Sequence, residues 1–374
     1  MGHDHPHPEI PPAPPRVRRI IAAILVPLVV ATAVGLIALW PGPVSRQATQ
    51  PGILHGTVES TTPPCPVGTP ATPGGPCGTA RVRIGDQVVD ATVPSGQTAP
   101  SLGVGDRVVV RGGDGRYAVV DHDRSRGLLI LVALFAAAVI GFARWRGLTS
   151  LVGLAVSFGL LLAFVLPAIQ QGSPPLLVAI VGAAAIMFAV IYLTHGVSVS
   201  TSVAVLGTLG ALVLTGVLGL FVTDALRLTG GGTEEAAILT NVLSGVDLRG
   251  LLLAGIIIGT LGVLDDVTVT QTAIVNELAL ADPTLPARRL YTSALRVGRA
   301  HVAAVVNTII LAYAGASLPL MLLIVVGGTG AMDVVTTQAI SAEIVRGIVG
   351  TLGLIAAVPI TTALAAWITT KRRT

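Results

Sequence analysis

Long apolar runs joined by short polar links dominate this chain, and one stretch with a two-residue alternation interrupts them. The runs cover residues 20–40, 127–143, 147–167, 175–194, 198–221, 248–264 with a polar continuation, 301–326 and 344–369. A helix of about 20 apolar residues crosses roughly 30 Å of hydrocarbon, so the pattern predicts about eight transmembrane helices. Between the first two runs, short Val-rich segments at 53–59, 81–84, 87–93, 107–111 and 117–121 alternate as strands do, with turns at Gly85-Asp86 and across 112–115. The predicted fold is an all-α polytopic membrane bundle carrying a small β-barrel or sandwich-like domain between helices 1 and 2. That domain is of the oligonucleotide-binding type in shape.

The organisation follows from these segments. Residues 1–19 read as a disordered tail, 20–40 as the first transmembrane helix, 44–126 as the β domain, 127–370 as a seven-helix membrane domain and 371–374 as a basic tail. The first run is too long for a signal-peptide core, and Trp40-Pro41-Gly42-Pro43 offers no small-residue cleavage site, which predicts a retained signal anchor.

Composition agrees with a membrane protein. Hydrophobic residues make up 52% and charged residues only 11% of the 374 residues, and the mean hydropathy is +0.81. Forty-four glycines suit helices packed backbone to backbone. The net charge of +4 reflects topology. Arg16, Arg18, Arg19, Arg144, Arg146, Arg288, Arg289, Arg296, Arg299, Lys371, Arg372 and Arg373 fall on one side, against Arg227, Arg249 and Arg346 in short links on the other. The positive-inside rule then places both termini in the cytoplasm and the β domain outside. An oxidising exterior favours a disulfide between Cys65 and Cys77, the only cysteines, over a metal site. The β domain shows no aromatic stacking platform, which argues against nucleic acid as a partner.

The chemistry centres on Asp265 and Asp266, which end an apolar run at a depth where carboxylates must be solvated, paired, protonated or ligated. Helical spacing groups Asp266 with Gly255, Gly259, Gly262 and Glu277, and Asp265 with Thr268, Thr272 and Asn276, so both aspartates are expected to face the bundle interior. Thr268 and Gln271 could add oxygen ligands for a hard cation. Alternatively Arg296 or Arg299, at the start of a span holding Asn307, Thr308 and Tyr313, supplies a fixed counter-charge, and the site is a structural ion pair at a wet helix end. Adjacent aspartates differ by about 100° around a helix and do not readily share a proton, so paired-aspartate catalysis is not expected and no enzyme or cofactor is predicted. Glu343 and Arg346 sit one turn apart and most simply pair with each other. His3, His5 and His7 could hold a metal weakly, although a disordered tail is the plainer reading.

Three segments also resemble a known family. Residues 251–271, with Gly255-Ile256-Ile257-Ile258-Gly259 and Leu264-Asp265-Asp266-Val267, look like the signature of the YibE/F-like membrane proteins. Residues 296–319 (RVGRAHVAAVVNTIILAYAGASLP) and 343–362 are similar to further family segments. The resemblance spans most of residues 50–370. It implies a bacterial multi-spanning protein of the plasma membrane with an extracytoplasmic domain after the first span, and an acidic residue where this chain has Ala300. The leading expectation is a permease or exporter of a small solute or ion, with Asp265 and Asp266 as coupling or binding carboxylates and Arg299 as a gating partner. Asp266→Asn is then expected to abolish transport. The competing expectation is a non-transporting accessory or sensor whose outer domain binds a protein partner; a homo-oligomer is open under either.

Overall fold

The computed structural model describes residues 14–43, 52–63, 65, 77–94, 100–113, 115–243, 245–328 and 330–372. The histidines of the amino-terminal tail, His3, His5 and His7, lie outside the described residues. The chain divides into two compact units, one formed by residues 44–147 and the other by 1–43 with 148–374.

In the first unit, five strands form a closed barrel: β1 (Gly52–Thr61), β2 (Thr79–Ile84), β3 (Gln87–Thr92), β4 (Arg107–Gly113) and β5 (Arg116–His122). Their order around the barrel is β1-β2-β3-β5-β4, with β1 pairing to β4 to close it and a parallel pairing between β3 and β5. This is the Greek-key circuit expected of an oligonucleotide-binding type of barrel, and it selects the barrel over the sandwich. Alternate residues point inward, so Val58, Val82, Val108, Val110 and Val119 fill the centre at no more than 1% exposure. Gly85, at φ +59°, makes the two-residue turn with Asp86 that brings Ile84 opposite Gln87. Gly112 is needed because a Cβ there would overlap the Tyr117 ring. Tyr117 is the one aromatic between residues 44 and 126. Cys65 and Cys77 are joined in a disulfide, as predicted.

A buried carboxylate anchors the barrel's last strand. Asp123, only 3% exposed, accepts from the Ser125 amide at 2.9 Å, from Arg107 Nη2 at 2.9 Å and faces His55 Nδ1 at 3.3 Å. Hydrogen bonds from Ser125 first, and then the Arg107 charge and His55, hold its carboxyl down at about 2. The group therefore binds protons more readily when unfolded, so its stabilisation is complete above about pH 4 and fades as pH falls towards 2. The hydrogen-exchange protection of Val108 and Val110 is expected to decline over that interval in the intact protein, and to decline less in Asp123→Asn.

The helices are α1 (Pro15–Ala38), α2 (Ser125–Leu160), α3 (Leu166–Gln170), α4 (Pro175–His195), α5 (Val199–Ala225), α6 (Glu234–Val242), α7 (Leu248–Ala281), α8 (Ala287–Ala316), α9 (Leu318–Val326), α10 (Ala331–Thr336) and α11 (Gln338–Lys371). Helix α1 starts ahead of the predicted run, taking Arg16, Arg18 and Arg19 into its first turns behind Pro15. A π turn at Leu161–Val165 joins α2 to α3 just before Pro167, whose missing N–H loosens the preceding ladder.

Seven helical runs among the described residues are long and apolar enough to cross a membrane. Eight were expected. The difference lies in Ser125–Gln170, which counts as a single run of 46 residues. It covers both predicted spans 127–143 and 147–167, and Arg144 breaks it with φ 54° and ψ −128°. Gly147 packs back against the Val139 carbonyl, a contact no continuous helix makes, so the run is two helical pieces meeting at Arg144.

In the second unit α5, α7 and α11 form the centre, with α4 against α7 and α8 against α11 and, less closely, α7. Glycines opposite threonines set these approaches. Added Cβ atoms at Gly207, Gly350 and Gly353 would run into Thr361, Thr260 and Thr215 respectively. The threonines fit an apolar interior because most return their hydroxyls to their own helix, as Thr215 does to Ala211 O at 2.8 Å and Thr260 to Ile256 O at 2.8 Å.

Candidate functional site

Helix α7 carries the site. Asp247 caps it by accepting from the Gly250 amide at 2.8 Å, and no proline interrupts its 34 residues. Asp265 lies 17 residues in from Leu248, roughly 25 Å along the axis at 1.5 Å per residue. Its neighbours Leu264, Val267 and Thr268 are at most 1% exposed.

The two aspartates face different surroundings. Oδ1 of Asp265 is buried and has no hydrogen-bond partner among the described residues. Asp266 is exposed, as is Gly262 one turn away, where an added Cβ would meet nothing within 4 Å. Only Asp265 therefore turns inward, and the expectation that both do is corrected for Asp266. The reason lies in packing: α7 meets its neighbours through Thr260, Leu264, Thr268 and Gln271 rather than through the arc of Gly262 and Asp266.

Neither aspartate forms an ion pair among the described residues. Arg296 and Arg299 lie exposed on α8, as do Ala300 and Asn307. The fixed arginine partner considered from the sequence is thus absent among the described residues. His301, also on α8, buries Nε2 without a partner.

Thr268 and Gln271 are engaged elsewhere. Thr268 Oγ1 lies 2.6 Å from Thr208 Oγ1 and joins α7 to α5. Gln271, 2% exposed, donates Nε2 to the Ala294 carbonyl at 2.9 Å and joins α7 to α8, with Gly298 leaving room for its side chain. Further along, Asn276 donates to Ser200 Oγ at 2.7 Å. These polar groups act as interhelical fasteners. Among the described residues no group of three or more His, Cys, Asp or Glu is arranged to hold a metal ion.

Towards the Leu248 end, the glycine arc of α7 accommodates two other polar side chains. A Cβ on Gly255 would lie 3.6 Å from Arg346 Nη2, and one on Gly259 would lie 3.1 Å from the Tyr313 hydroxyl. Arg346 pairs with Glu343 at 3.0 Å, as their spacing predicts. A cavity of about 390 Å³ opens above this pair, lined by Gly230, Thr233, Glu235, Glu343 and Arg346. A second cavity of about 180 Å³ lies between α7, α8 and α11, with Tyr313 and Gly259 at one side and Val263 and Leu264 at the other. Leu264 is the residue before Asp265. Tyr313 was noted in the sequence only as a polar member of its span, and Thr208 was missed, although Thr201, Thr208 and Thr215 recur every seven residues along α5.

Seven helices long and apolar enough to cross a membrane define a helical, multi-pass class of membrane protein, and one of them holds a half-buried carboxyl whose Oδ1 has no partner among the described residues. Residues 131–371 match the family described as YibE/F-like protein, and the chain belongs to that family. The match begins inside α2 and leaves out the barrel, so it is shorter than the resemblance over residues 50–370 expected from the sequence. No curated protein and no solved structure matches the chain.

Proposed function

We propose that this protein is a permease or exporter that couples movement of a small solute or ion to a proton carried by Asp265. One observation carries the reading: Oδ1 of the half-buried Asp265 is shielded from solvent with no donor, arginine or metal cluster to meet its charge among the described residues. A carboxylate held in such a place needs a proton or a cation, and intramembrane acids of this kind mark ion pathways. The role is carriage, with no catalytic step assigned.

The glycine arc supplies a route. The two cavities are lined by successive parts of α7, within residues 248–252 and 259–264, and Arg346 and Tyr313, which line one cavity each and pack on Gly255 and Gly259, are assigned as the gate in place of Arg299. We place the protein in a bacterial plasma membrane with both termini cytoplasmic, in keeping with the charge bias of the links and the disulfide of the barrel. The barrel is a separate compact unit outside the family match, which favours a second role for it in binding a protein partner outside the cell.

Everted membrane vesicles with an acidified interior, with and without the protein, test the main reading. A panel of inorganic salts, small carboxylates and small amines is added while a dye reports the pH gradient. At least one addition is expected to collapse the gradient faster in vesicles carrying the protein. Identical responses across the panel would overturn the proposal.

A further inference from the structure

A cavity of about 630 Å³ lies at the end of the second unit where α1 begins and α11 finishes, away from the glycine arc of α7. Its polar end is lined by Arg18, Arg372, Ser198, Ser200 and Tyr192. Neither arginine has an ion-pair partner among the described residues, and no carboxylate lines the cavity. Arg372 Nε is shielded from solvent and donates to no acceptor. The same end receives the amino terminus of α5, capped by Ser198, whose side chain accepts from the Thr201 amide. The helix dipole adds to the positive field there.

The rest of the cavity is apolar. Ile21, Leu25, Val29 and Val30 of α1 form its wall, which runs from residue 21 to residue 30, roughly 14 Å at 1.5 Å per residue. That is close to half of a hydrocarbon core of about 30 Å, the depth of a single leaflet. Helix α1 is otherwise thinly packed, with only Val17, Ile21 and Leu25 buried. A site with two guanidinium groups and hydroxyls at one end, continued by an apolar wall one leaflet deep, matches an amphiphile with an anionic head. A free phosphate would use the polar end and leave the wall empty.

We infer that this cavity binds an anionic phospholipid, its headgroup phosphate held by Arg18 and Arg372 and one acyl chain laid along α1. The lipid fills the gap between α1 and the α4–α5 pair and so fastens α1 to the bundle. The inference is independent of any transport by Asp265.

The test uses the full-length protein purified in neutral detergent, with native mass spectrometry to count bound lipid and a thermal midpoint as a second readout. The probes are dioleoylphosphatidylglycerol, dioleoylphosphatidylcholine and glycerol phosphate. Phosphatidylglycerol is expected to bind about tenfold more tightly than phosphatidylcholine and to raise the midpoint. Arg18→Gln with Arg372→Gln is expected to erase the preference, and Arg18→Lys with Arg372→Lys to keep most of it. Glycerol phosphate, which lacks the chains, is expected not to displace the lipid. Equal binding of the two lipids by the wild-type protein would overturn the inference without recourse to any variant. Retained preference in the double glutamine variant, or displacement by glycerol phosphate, would overturn it as well.

Discussion

Asp265→Asn is expected to insert and fold as the wild-type protein does and to lose solute-dependent proton movement by about two orders of magnitude, an effect within the range for removing an essential proton-transfer group. The amide has the size and shape of the carboxyl, so α7 keeps its contacts with α4, α5, α8 and α11. It cannot take up or release a proton. Because Oδ1 of Asp265 has no partner among the described residues, the substitution breaks no hydrogen bond to it, and folding and flux are cleanly separated. The same vesicle assay that identifies an active solute measures this loss, and monodispersity in detergent measures the folding.

Asp266→Asn is the informative comparison. From the sequence alone both aspartates were expected to serve as coupling or binding carboxylates, and Asp266→Asn was expected to abolish transport. The Asp266 side chain is exposed, and its substitution is now expected to leave most of the flux intact. Full activity in Asp265→Asn together with loss in Asp266→Asn would reverse the assignment and move the proton site to Asp266.

That reversal shows where sequence reading reached its limit. The apolar runs, the five strands, the disulfide and the family signature were all visible, because each depends on local periodicity or on residues close together in the chain. Which side of α7 faces inward was not. It is decided by partners distant in sequence: Thr208 for Thr268, Ala294 and Gly298 for Gln271, and Gly350 for Thr260. Glycine on a membrane helix marks close approach, yet the arc of α7 carries two kinds. Gly255 and Gly259 make room for Arg346 and Tyr313, whereas Gly262 meets nothing. Steps of four and then three residues keep all three glycines on one helical arc, so their spacing does not tell the two kinds apart. Likewise the twofold strand rhythm could not choose between barrel and sandwich, because the parallel pairing of β3 with β5 joins segments separated in the chain by β4.

Gly353→Val is expected to be among the most damaging single substitutions in the membrane unit. Gly353 of α11 lies directly on Thr215 of α5, so an added Cβ would overlap the Thr215 hydroxyl and sit 3.2 Å from its Cβ. Thr215 is fully buried and its hydroxyl is committed to Ala211 O, so it cannot swing aside. Overpacking of a tight interior costs about 1–3 kcal/mol, and a branched side chain at a helix crossing belongs at the upper end. The expected readout is a thermal midpoint lowered by several degrees, or aggregation in place of a monodisperse peak. Thr215→Ala removes the atoms that clash and is expected to restore much of the stability to Gly353→Ala, a non-additivity that ties the effect to this crossing. Gly262→Ala, on the open face of the same bundle, is the control and is expected to be neutral or mildly stabilising, since alanine is the better helix former. A Gly353→Val protein as stable as wild type would mean that α5 and α11 do not approach at this pair, and with it the glycine–threonine account of the bundle would fail.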